Sequence, residues 1–114
     1  MLKQIPCDFT FKDDRGQIVQ LVHAGWRQIN VITTRKGVVR GNHYHKQNAE
    51  AFYVILGACD VTVGKESFSF GPGDFFRIDP FDMHSFDYKE DTVMVSMYNK
   101  GVELPDGSKD IFTE

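Results

Sequence analysis

The sequence predicts an all-β protein, and three observations support this prediction. Apolar and polar residues alternate with a period of two in many short segments, which is the pattern of half-buried strands. The chain has 10 Phe against 1 Trp, and aromatic side chains favour the pleated surface of a sheet. Clusters of Gly, Asp and Pro separate the alternating segments, and no stretch of a dozen residues follows a helical period. Many short strands joined by turns are typical of a sandwich or a barrel.

The alternating segments all have about the length of one strand. In chain order they cover residues 18–23, 27–34, 50–56, 58–63, 66–70, 84–88 and 92–98. The second segment illustrates the pattern, because Ile29, Val31 and Thr33 fall on one face of it.

Turn-forming clusters lie between these segments, as an all-β fold requires. They cover residues 13–16, 35–37, 64–65 and 71–74. The last strand is expected to end near Tyr98, because residues 99–101 are polar and turn-like. The tail, residues 100–114, is polar and contains Pro105, so we expect it to wrap the surface or to fray.

Size and composition narrow the class of protein. A chain of 114 residues favours one domain spanning residues 1–114, and 41% hydrophobic with 25% charged residues argues against disorder. The net charge of −3 argues against a nucleic-acid partner. The longest apolar run, residues 51–59, is too short for a membrane span, which takes about 20 residues. With no signal-peptide pattern and only Cys7 and Cys59, we expect reduced thiols and a cytoplasmic protein.

Two closely spaced histidines are the first sign of a metal site. His43 and His45 are separated by one residue, so on a strand both imidazoles point to the same side while Tyr44 points to the other. Two imidazoles at this spacing can bind one ion from one side.

A carboxylate on an apolar face is the second sign. Glu50 opens a strand on which Phe52, Val54 and Leu56 share its face, so the carboxylate is expected to point inward. An unpaired buried charge is costly, and a cation held by the histidines would compensate for it.

The third sign is His84, which follows a turn at residues 79–82 and heads a strand. Three imidazoles and one carboxylate suit zinc, iron, nickel, copper or manganese and leave room for water or a substrate. Each histidine taken alone is explained as well by a solvent-facing strand position, but the four residues together favour a metal site. The fourth histidine, His23, has no partner at ligand spacing and is expected at the surface.

The spacing of the first three of these residues is that of a known motif. Gly37, five residues, His43-Tyr44-His45, four residues, Glu50, six residues and Gly57 resemble the complete first motif of the cupin superfamily. Gly37 and Gly57 are expected at hairpin corners, where glycine adopts a positive φ without strain.

Residues 73–84 resemble the second cupin motif less closely. Gly73, Asp74 and His84 stand at the expected separation. Pro80 comes one place late, and residues 81–82 are Phe and Asp where a glycine is common, which leaves the conformation of this turn open.

The resemblance spans about residues 15–98. It implies a double-stranded β-helix, the cupin jelly roll, with His43, His45, Glu50 and His84 as metal ligands. It also implies a homodimer, often made by N-terminal strands that pair with the partner's sheet, for which residues 3–11 are the candidates.

Two further stretches narrow the resemblance. Residues 40–46 resemble the cupin modules of bacterial surface-polysaccharide enzymes that act on keto forms of nucleotide-activated sugars. Residues 13–16 are similar to a stretch near the start of deoxysugar ketoisomerases and epimerases. The metal-free ketoisomerases usually lack a carboxylate at the position of Glu50, so the pattern here is that of the metal-holding module.

Other polar side chains are candidates for binding and proton transfer. Three cations are expected near the mouth of the site: Arg40, Lys46 and Arg77. They could contact a diphosphate, although each alone is explained as well by a solvated charge. Alternation turns Tyr44 and Tyr53 away from the ligand face, and Tyr98 remains a candidate for proton transfer.

Three functions remain open. The first is a metal-dependent isomerase or epimerase of a keto sugar that is expected to be nucleotide-linked. No base is identified outside the ligands, so no catalytic residue is assigned. The second is an iron dioxygenase of a small chelating molecule, which substrate-dependent oxygen uptake would reveal. The third is a non-enzymatic protein that binds a small molecule or sugar, which a ligand that raises the melting temperature and is recovered unchanged would reveal.

Overall fold

The structure, a computed structural model, describes residues 2–113. In this range eleven strands and no helix are present, so the all-β prediction is confirmed. In chain order the strands are β1 (Leu2–Gln4), β2 (Phe9–Asp13), β3 (Gly16–Gln20), β4 (Gln28–Thr34), β5 (Val39–His43), β6 (Glu50–Leu56), β7 (Cys59–Val63), β8 (Glu66–Phe70), β9 (Phe75–Ile78), β10 (His84–Tyr88) and β11 (Thr92–Tyr98). Accordingly, the described residues include no helix long and apolar enough to cross a membrane.

The strands form two larger antiparallel sheets and one hairpin. The five-stranded sheet has the order β1-β9-β6-β11-β4, and the four-stranded sheet has the order β5-β10-β7-β8. Strands β2 and β3 pair only with each other in the described chain, around the predicted turn at residues 14–15. Strands that are distant in sequence are neighbours in both sheets, which brings the ends of β5, β6 and β10 together.

The core lies between the two larger sheets and is rich in aromatic rings. Phe52 of the five-stranded sheet lies 4.7 Å from Phe86 of the four-stranded sheet, measured between ring centroids. Phe76 and Phe70 stack across the same interface at 4.1 Å. Burying one such side chain contributes roughly 1.5–3 kcal/mol, so this aromatic layer is a principal source of stability.

All seven alternating segments overlap a strand, although the first does so only over residues 18–20. One face differs from the expectation, because Leu56 does not share the inward face of Glu50 and Phe52 but is 57% exposed. The register between β6 and β11 shifts at this end, where Val93 pairs with Leu56 and Met94 with Val54. The bulge inserts Ile55 and turns Leu56 outward.

Two predicted glycine corners have the expected conformation. Gly37 has φ 87° and Gly57 has φ 95°. A Cβ atom at Gly57 would lie 2.4 Å from the carbonyl oxygen of Asp91, so close packing as well as the positive φ requires glycine at this corner.

The N-terminal part of the chain covers the outer face of the five-stranded sheet. A second, smaller apolar cluster forms there around the buried residues Ala51, Phe75 and Met97. The residues that pack against it include Ile5, Cys7, Leu21, Val22 and Trp26. This arrangement leaves the β2–β3 hairpin beside the body of the protein, with Phe9, Phe11 and Ile18 each at least half exposed.

The tail after β11 wraps the protein and is anchored by named contacts. Phe112 pairs with Tyr44 in an antiparallel bridge, and Asp110 is fully buried. The alternative expectation, that this segment frays, is wrong for residues 102–112, because the buried carboxylate of Asp110 is hydrogen-bonded to the body of the protein.

Candidate metal centre

The four predicted ligands converge at one end of the interior. His43 ends β5, His45 follows two residues later, Glu50 begins β6 and His84 begins β10. His84 lies directly opposite His43 in the antiparallel pair of β10 and β5. One ligand atom from each of these four side chains, here called the quartet, lies within 4.8 Å of the other three.

The spacing and chemistry of the donors fit a transition metal. His45 Nε2 is 3.0 Å and His84 Nε2 is 3.3 Å from the same carboxylate oxygen, Glu50 Oε1. With metal bonds of roughly 2.1 Å, two ligands at a right angle lie about 3.0 Å apart, and at the tetrahedral angle about 3.4 Å. The ring of His43 completes the group, 5.0 Å from that of His45 and 4.7 Å from that of His84 between centroids. These four side chains could therefore hold a metal ion.

Main-chain carbonyls orient two of the imidazoles. His45 Nδ1 lies 2.5 Å from the carbonyl oxygen of Asp110, and His84 Nδ1 lies 2.9 Å from that of Asp82. A carbonyl oxygen only accepts hydrogen bonds, so each Nδ1 carries a proton and donates it. This leaves both Nε2 atoms facing Glu50, which is the arrangement that outer-shell acceptors impose on metal-binding histidines.

The quartet is buried and electrostatically coupled. Glu50 is 4% exposed; burial alone would raise the pKa of its carboxyl group, but hydrogen bonds to His45 and His84 lower this pKa to about 2. Burial likewise opposes the charged form of His45, yet hydrogen bonds to Glu50 and Asp110 raise the pKa of its imidazole. Burial and the neighbouring histidines lower the pKa of His43. Glu50 thus remains ionised inside the protein.

Tyr98 is the tyrosine that the fold brings to the quartet. It lies opposite Glu50 in the pairing of β11 and β6, and its ring centroid is 5.3 Å from that of His45. Burial and the negative charge of Glu50 raise the pKa of its hydroxyl above the usual value, so the group stays protonated. Tyr44 and Tyr53 point away, as alternation predicts: Tyr44 packs against Phe112 and Tyr53 belongs to the outer apolar cluster.

The three predicted cations do not gather around the quartet. Arg77 lies on the outer face of the five-stranded sheet, where it bonds Asp79 and stacks on Trp26. Arg40 donates to Thr34, which pairs with Thr92 at the end of β11 far from Tyr98. The Lys46 amine lies 4.2 Å from the ring centroid of Phe112. Arg77 thus points to the outer side of its sheet rather than to the mouth of the site. Contact of Arg40 and Lys46 with a diphosphate stays a prediction.

His23 is exposed, as predicted, and its Nδ1 lies 2.9 Å from a carboxylate oxygen of Asp8. It takes no part in the quartet. Cys59 is buried in the core, where burial raises the pKa of its thiol to about 12.

Asp110 is a residue near the quartet that sequence reasoning missed. Its carboxylate accepts hydrogen bonds from the main-chain N–H groups of Lys46, Gln47 and Asn48, at 2.9, 2.9 and 3.0 Å. These residues form the loop between His45 and Glu50. No spacing rule connects positions 60 residues apart, so the sequence carries no signal for this contact.

Phe81 explains the irregular second motif. It has φ 70°, a left-handed conformation that glycine adopts easily and a bulky residue rarely does. Its main-chain N–H donates to the carbonyl of His45 at 2.6 Å, and its ring stacks on Tyr44 at 6.4 Å between centroids. The backbone therefore makes the turn in which a glycine is common, with a phenylalanine in its place.

The sequence has a recognisable relationship to one family. A family model described as the polysaccharide biosynthesis C-terminal domain matches residues 11–68, just over half of the chain. The chain belongs to this family. The matched stretch contains three members of the quartet, His43, His45 and Glu50, and His84 lies beyond it. A comparison with curated protein sequences found no match.

Several solved structures share the fold of this chain. A 3,4-ketoisomerase from Helicobacter canadensis has a TM-score of 0.82 at 15% identity, covering 99% of this chain and 90% of that one. A variant of the 3,4-ketoisomerase QdtA from Thermoanaerobacterium thermosaccharolyticum, in complex with TDP-4-keto-6-deoxyglucose, has a TM-score of 0.78 at 14% identity, covering 99% and 87%. The dTDP-4-dehydrorhamnose 3,5-epimerase from Sulfolobus tokodaii has a TM-score of 0.69 at 22% identity, covering 86% and 70%.

These likenesses establish the architecture. The two facing antiparallel sheets are the double-stranded β-helix of the cupin superfamily, so the fold predicted from the two motifs is confirmed. The three structural neighbours described above are two 3,4-ketoisomerases and a 3,5-epimerase. In this member of the polysaccharide biosynthesis C-terminal domain family, the quartet lies at one end of that fold.

Proposed function

We propose that His43, His45, Glu50 and His84 bind one divalent transition metal, of the group zinc, iron, nickel, copper and manganese. The observation that carries this proposal is the convergence of two Nε2 atoms on one carboxylate oxygen in a buried site. The oriented Nδ1 atoms support it, because they leave the opposite nitrogens free to ligate.

We further propose that the protein is an isomerase or epimerase of a nucleotide-linked keto sugar. Its fold neighbours act on such sugars by name, and its family is named for polysaccharide biosynthesis. A bound divalent cation would polarise the sugar carbonyl and stabilise the negative charge that develops when a neighbouring C–H loses its proton.

In this proposed reaction, the quartet and the residues next to it have different roles. Glu50 and the two oriented imidazoles would hold the cation at a fixed place. Tyr98, which stays protonated, can donate a hydrogen bond to a substrate oxygen beside the quartet. Phe52 and Phe86 follow Glu50 and His84 on the same faces of β6 and β10, and they close the inner side of the site to water.

Solvent-hydrogen exchange tests this function directly. Protein loaded with each metal is incubated in D2O with TDP- and UDP-linked 4-keto-6-deoxyhexoses, and NMR follows deuterium at the carbons next to the keto group. The expected result is metal-dependent exchange or a new sugar isomer, lost in Glu50→Gln and retained in His23→Gln, which removes the histidine outside the quartet. No exchange with any of these sugars would refute the keto-sugar proposal, and oxygen uptake would indicate a dioxygenase instead.

We also propose that the protein is a homodimer. The β2–β3 hairpin exposes Phe9, Phe11 and Ile18, and the edge strand β4 exposes Ile29 and Val31. A two-stranded hairpin is marginally stable alone, so its apolar face and the unpaired edge of β4 are suited to contact a second copy.

Light scattering tests the dimer. We expect twice the chain mass of 13.0 kDa, with Phe11→Lys shifting the protein to monomer and the neighbouring Lys12→Gln leaving it dimeric. A monomeric wild type would refute this proposal. The cytoplasmic location of the protein also stays a prediction.

A further inference from the structure

The buried end of the tail is joined to the quartet by two sets of contacts. The first set is made by the Asp110 carboxylate, which accepts from three consecutive main-chain N–H groups of residues 46–48 and from the Asn48 side-chain amide at 2.9 Å. This loop runs directly from His45 to Glu50. Its conformation therefore depends on a carboxylate that comes from the other end of the sequence.

The second contact is made by the main chain of the same residue. The carbonyl of Asp110 accepts from His45 Nδ1 at 2.5 Å. The backbone around it is fixed on both sides, because Asp110 N donates to Val102 and Phe112 exchanges two hydrogen bonds with Tyr44, at 2.9 and 3.0 Å. The carbonyl is thus aimed at the imidazole by contacts that do not involve the quartet.

Asn48 ties the loop to the start of the tail. Its side-chain oxygen accepts from the main-chain N–H groups of Lys100 and Gly101, at 3.1 and 3.0 Å, and its amide donates to the carbonyl of Gly101. Asn48 and Asp110 are both fully buried. Buried polar groups of this kind are costly unless every partner is in place, so loop and tail are expected to order together.

We propose that Asp110 is a positioning residue for the metal centre, and this inference rests on the proposed metal-binding function. Its carboxylate holds the loop that carries His45 and Glu50, and its carbonyl keeps the proton of His45 on Nδ1 so that Nε2 faces the metal. Only a carboxylate can accept all of the hydrogen bonds from the loop, because both of its oxygens are acceptors. The amide of asparagine would instead direct N–H groups at the N–H donors of the loop.

Three variants and two measurements test the inference. Asp110→Ala removes the carboxylate, Asp110→Asn is nearly isosteric, and Asp106→Asn is the matched control, because Asp106 is an exposed carboxylate of the same tail that bonds Ser108. Competition with a chromophoric chelator gives the Co2+ affinity, and the visible Co2+ spectrum reports the ligand geometry. Proton–nitrogen NMR of metal-free protein follows the His45 Nδ1–H resonance and its exchange with water.

Wild type and Asp106→Asn are expected to agree in both measurements. In Asp110→Asn and Asp110→Ala, Co2+ binding should weaken by about 10–100-fold, the range that outer-shell changes produce, and the spectrum should change. The Nδ1–H proton should exchange at least ~10-fold faster, because the loop that begins at His45 is no longer held against the Asp110 carbonyl. A purely structural role for Asp110 would lower the melting temperature without changing either readout.

The outcomes separate this inference from the metal proposal. If folded Asp110→Asn binds Co2+ within twofold of wild type, or keeps the wild-type Nδ1–H exchange, the positioning role is refuted. If wild type binds no metal, the metal proposal fails, and the metal-free NMR readout still decides whether Asp110 orients His45. Should Asp110→Ala not fold, Asp110→Asn decides alone.

Discussion

Two neighbouring layers of the interior, built on the same strands, are stabilised in different ways. In the layer that includes two members of the quartet, β6, β10 and β11 contribute Glu50, His84 and Tyr98. Two residues further along the same strands, the layer consists of Phe52, Phe86 and Ser96. Both layers are buried apart from Tyr98, which is partly exposed. The first is held by directed contacts between polar atoms and the second mainly by ring packing.

The difference shows what each kind of interior requires. Apolar rings need matching volume, and neighbouring rings can adjust to one another. A buried carboxylate needs each of its partners at hydrogen-bond or ligand distance, because an unpaired charge there costs several kcal/mol. The polar layer therefore depends on residues from four separate parts of the chain, whereas the aromatic layer depends on local alternation.

The largest expected effect is on the aromatic layer. Phe76 is fully buried and stacks on Phe70 at 4.1 Å, so Phe76→Ala should lower the free energy of unfolding by about 3–5 kcal/mol through the cavity it leaves. Urea denaturation measures this change. The Co2+ affinity of the folded fraction should stay near the wild-type value, and a parallel loss of affinity would show that the two layers are not separable.

A substitution in the polar layer is expected to lower metal affinity rather than the stability of the core. Glu50→Gln removes the anionic ligand, so metal affinity should fall by more than about 100-fold, beyond the range of outer-shell changes. The rise in melting temperature that metal gives the wild type should disappear with it. Glu66→Gln, which changes an exposed glutamate of β8, is the control. Unchanged metal-dependent stabilisation in Glu50→Gln would place the metal elsewhere.

The smallest expected effect concerns the turn that leads into His84. Phe81 has a left-handed backbone, which costs a non-glycine residue about 1–2 kcal/mol. Phe81→Gly and Phe81→Ala both lose the stacking on Tyr44, but only glycine relieves the backbone strain. Phe81→Gly should therefore be the more stable of the two by about 1 kcal/mol in urea denaturation. A more stable alanine variant would contradict a strained turn.

Strands with an alternating pattern were predictable, and those without one were not. Segments such as residues 50–56 and 84–88 carry the period-two pattern because one face is buried and the other is not. β5, which was expected only as the strand that carries His43 and His45, and β9 lie outside the alternating segments for opposite reasons. β5 carries Arg40, Gly41 and Asn42 and is exposed along most of its length, whereas β9 is short and nearly continuously apolar. Neither strand has one apolar and one polar face, so neither produces an alternating pattern in the sequence.

The candidate site likewise has a part that the sequence predicted and a part that it did not. The spacing of the quartet residues indicated a cluster, because histidines two apart on a strand share a side and a carboxylate among apolar residues needs a partner. The contacts that orient His45 come from Asp110, and no periodicity relates these two positions. The placement of Arg40 and Arg77 also depended on which sheet edge or face each strand occupies.

By itself, the sequence determined the all-β class, the turns and the identity of the four candidate ligands, because these depend on residue type and on spacing over a few positions. The tertiary structure alone decided that Asp110 of the tail binds the loop between His45 and Glu50, that Phe81 takes a left-handed conformation and that Arg77 lies on the outer side of its sheet. The physical reason is range: alternation and turn propensity act between neighbours in the chain, whereas the pairing of a buried carboxylate with distant N–H groups exists only once the sheets have folded.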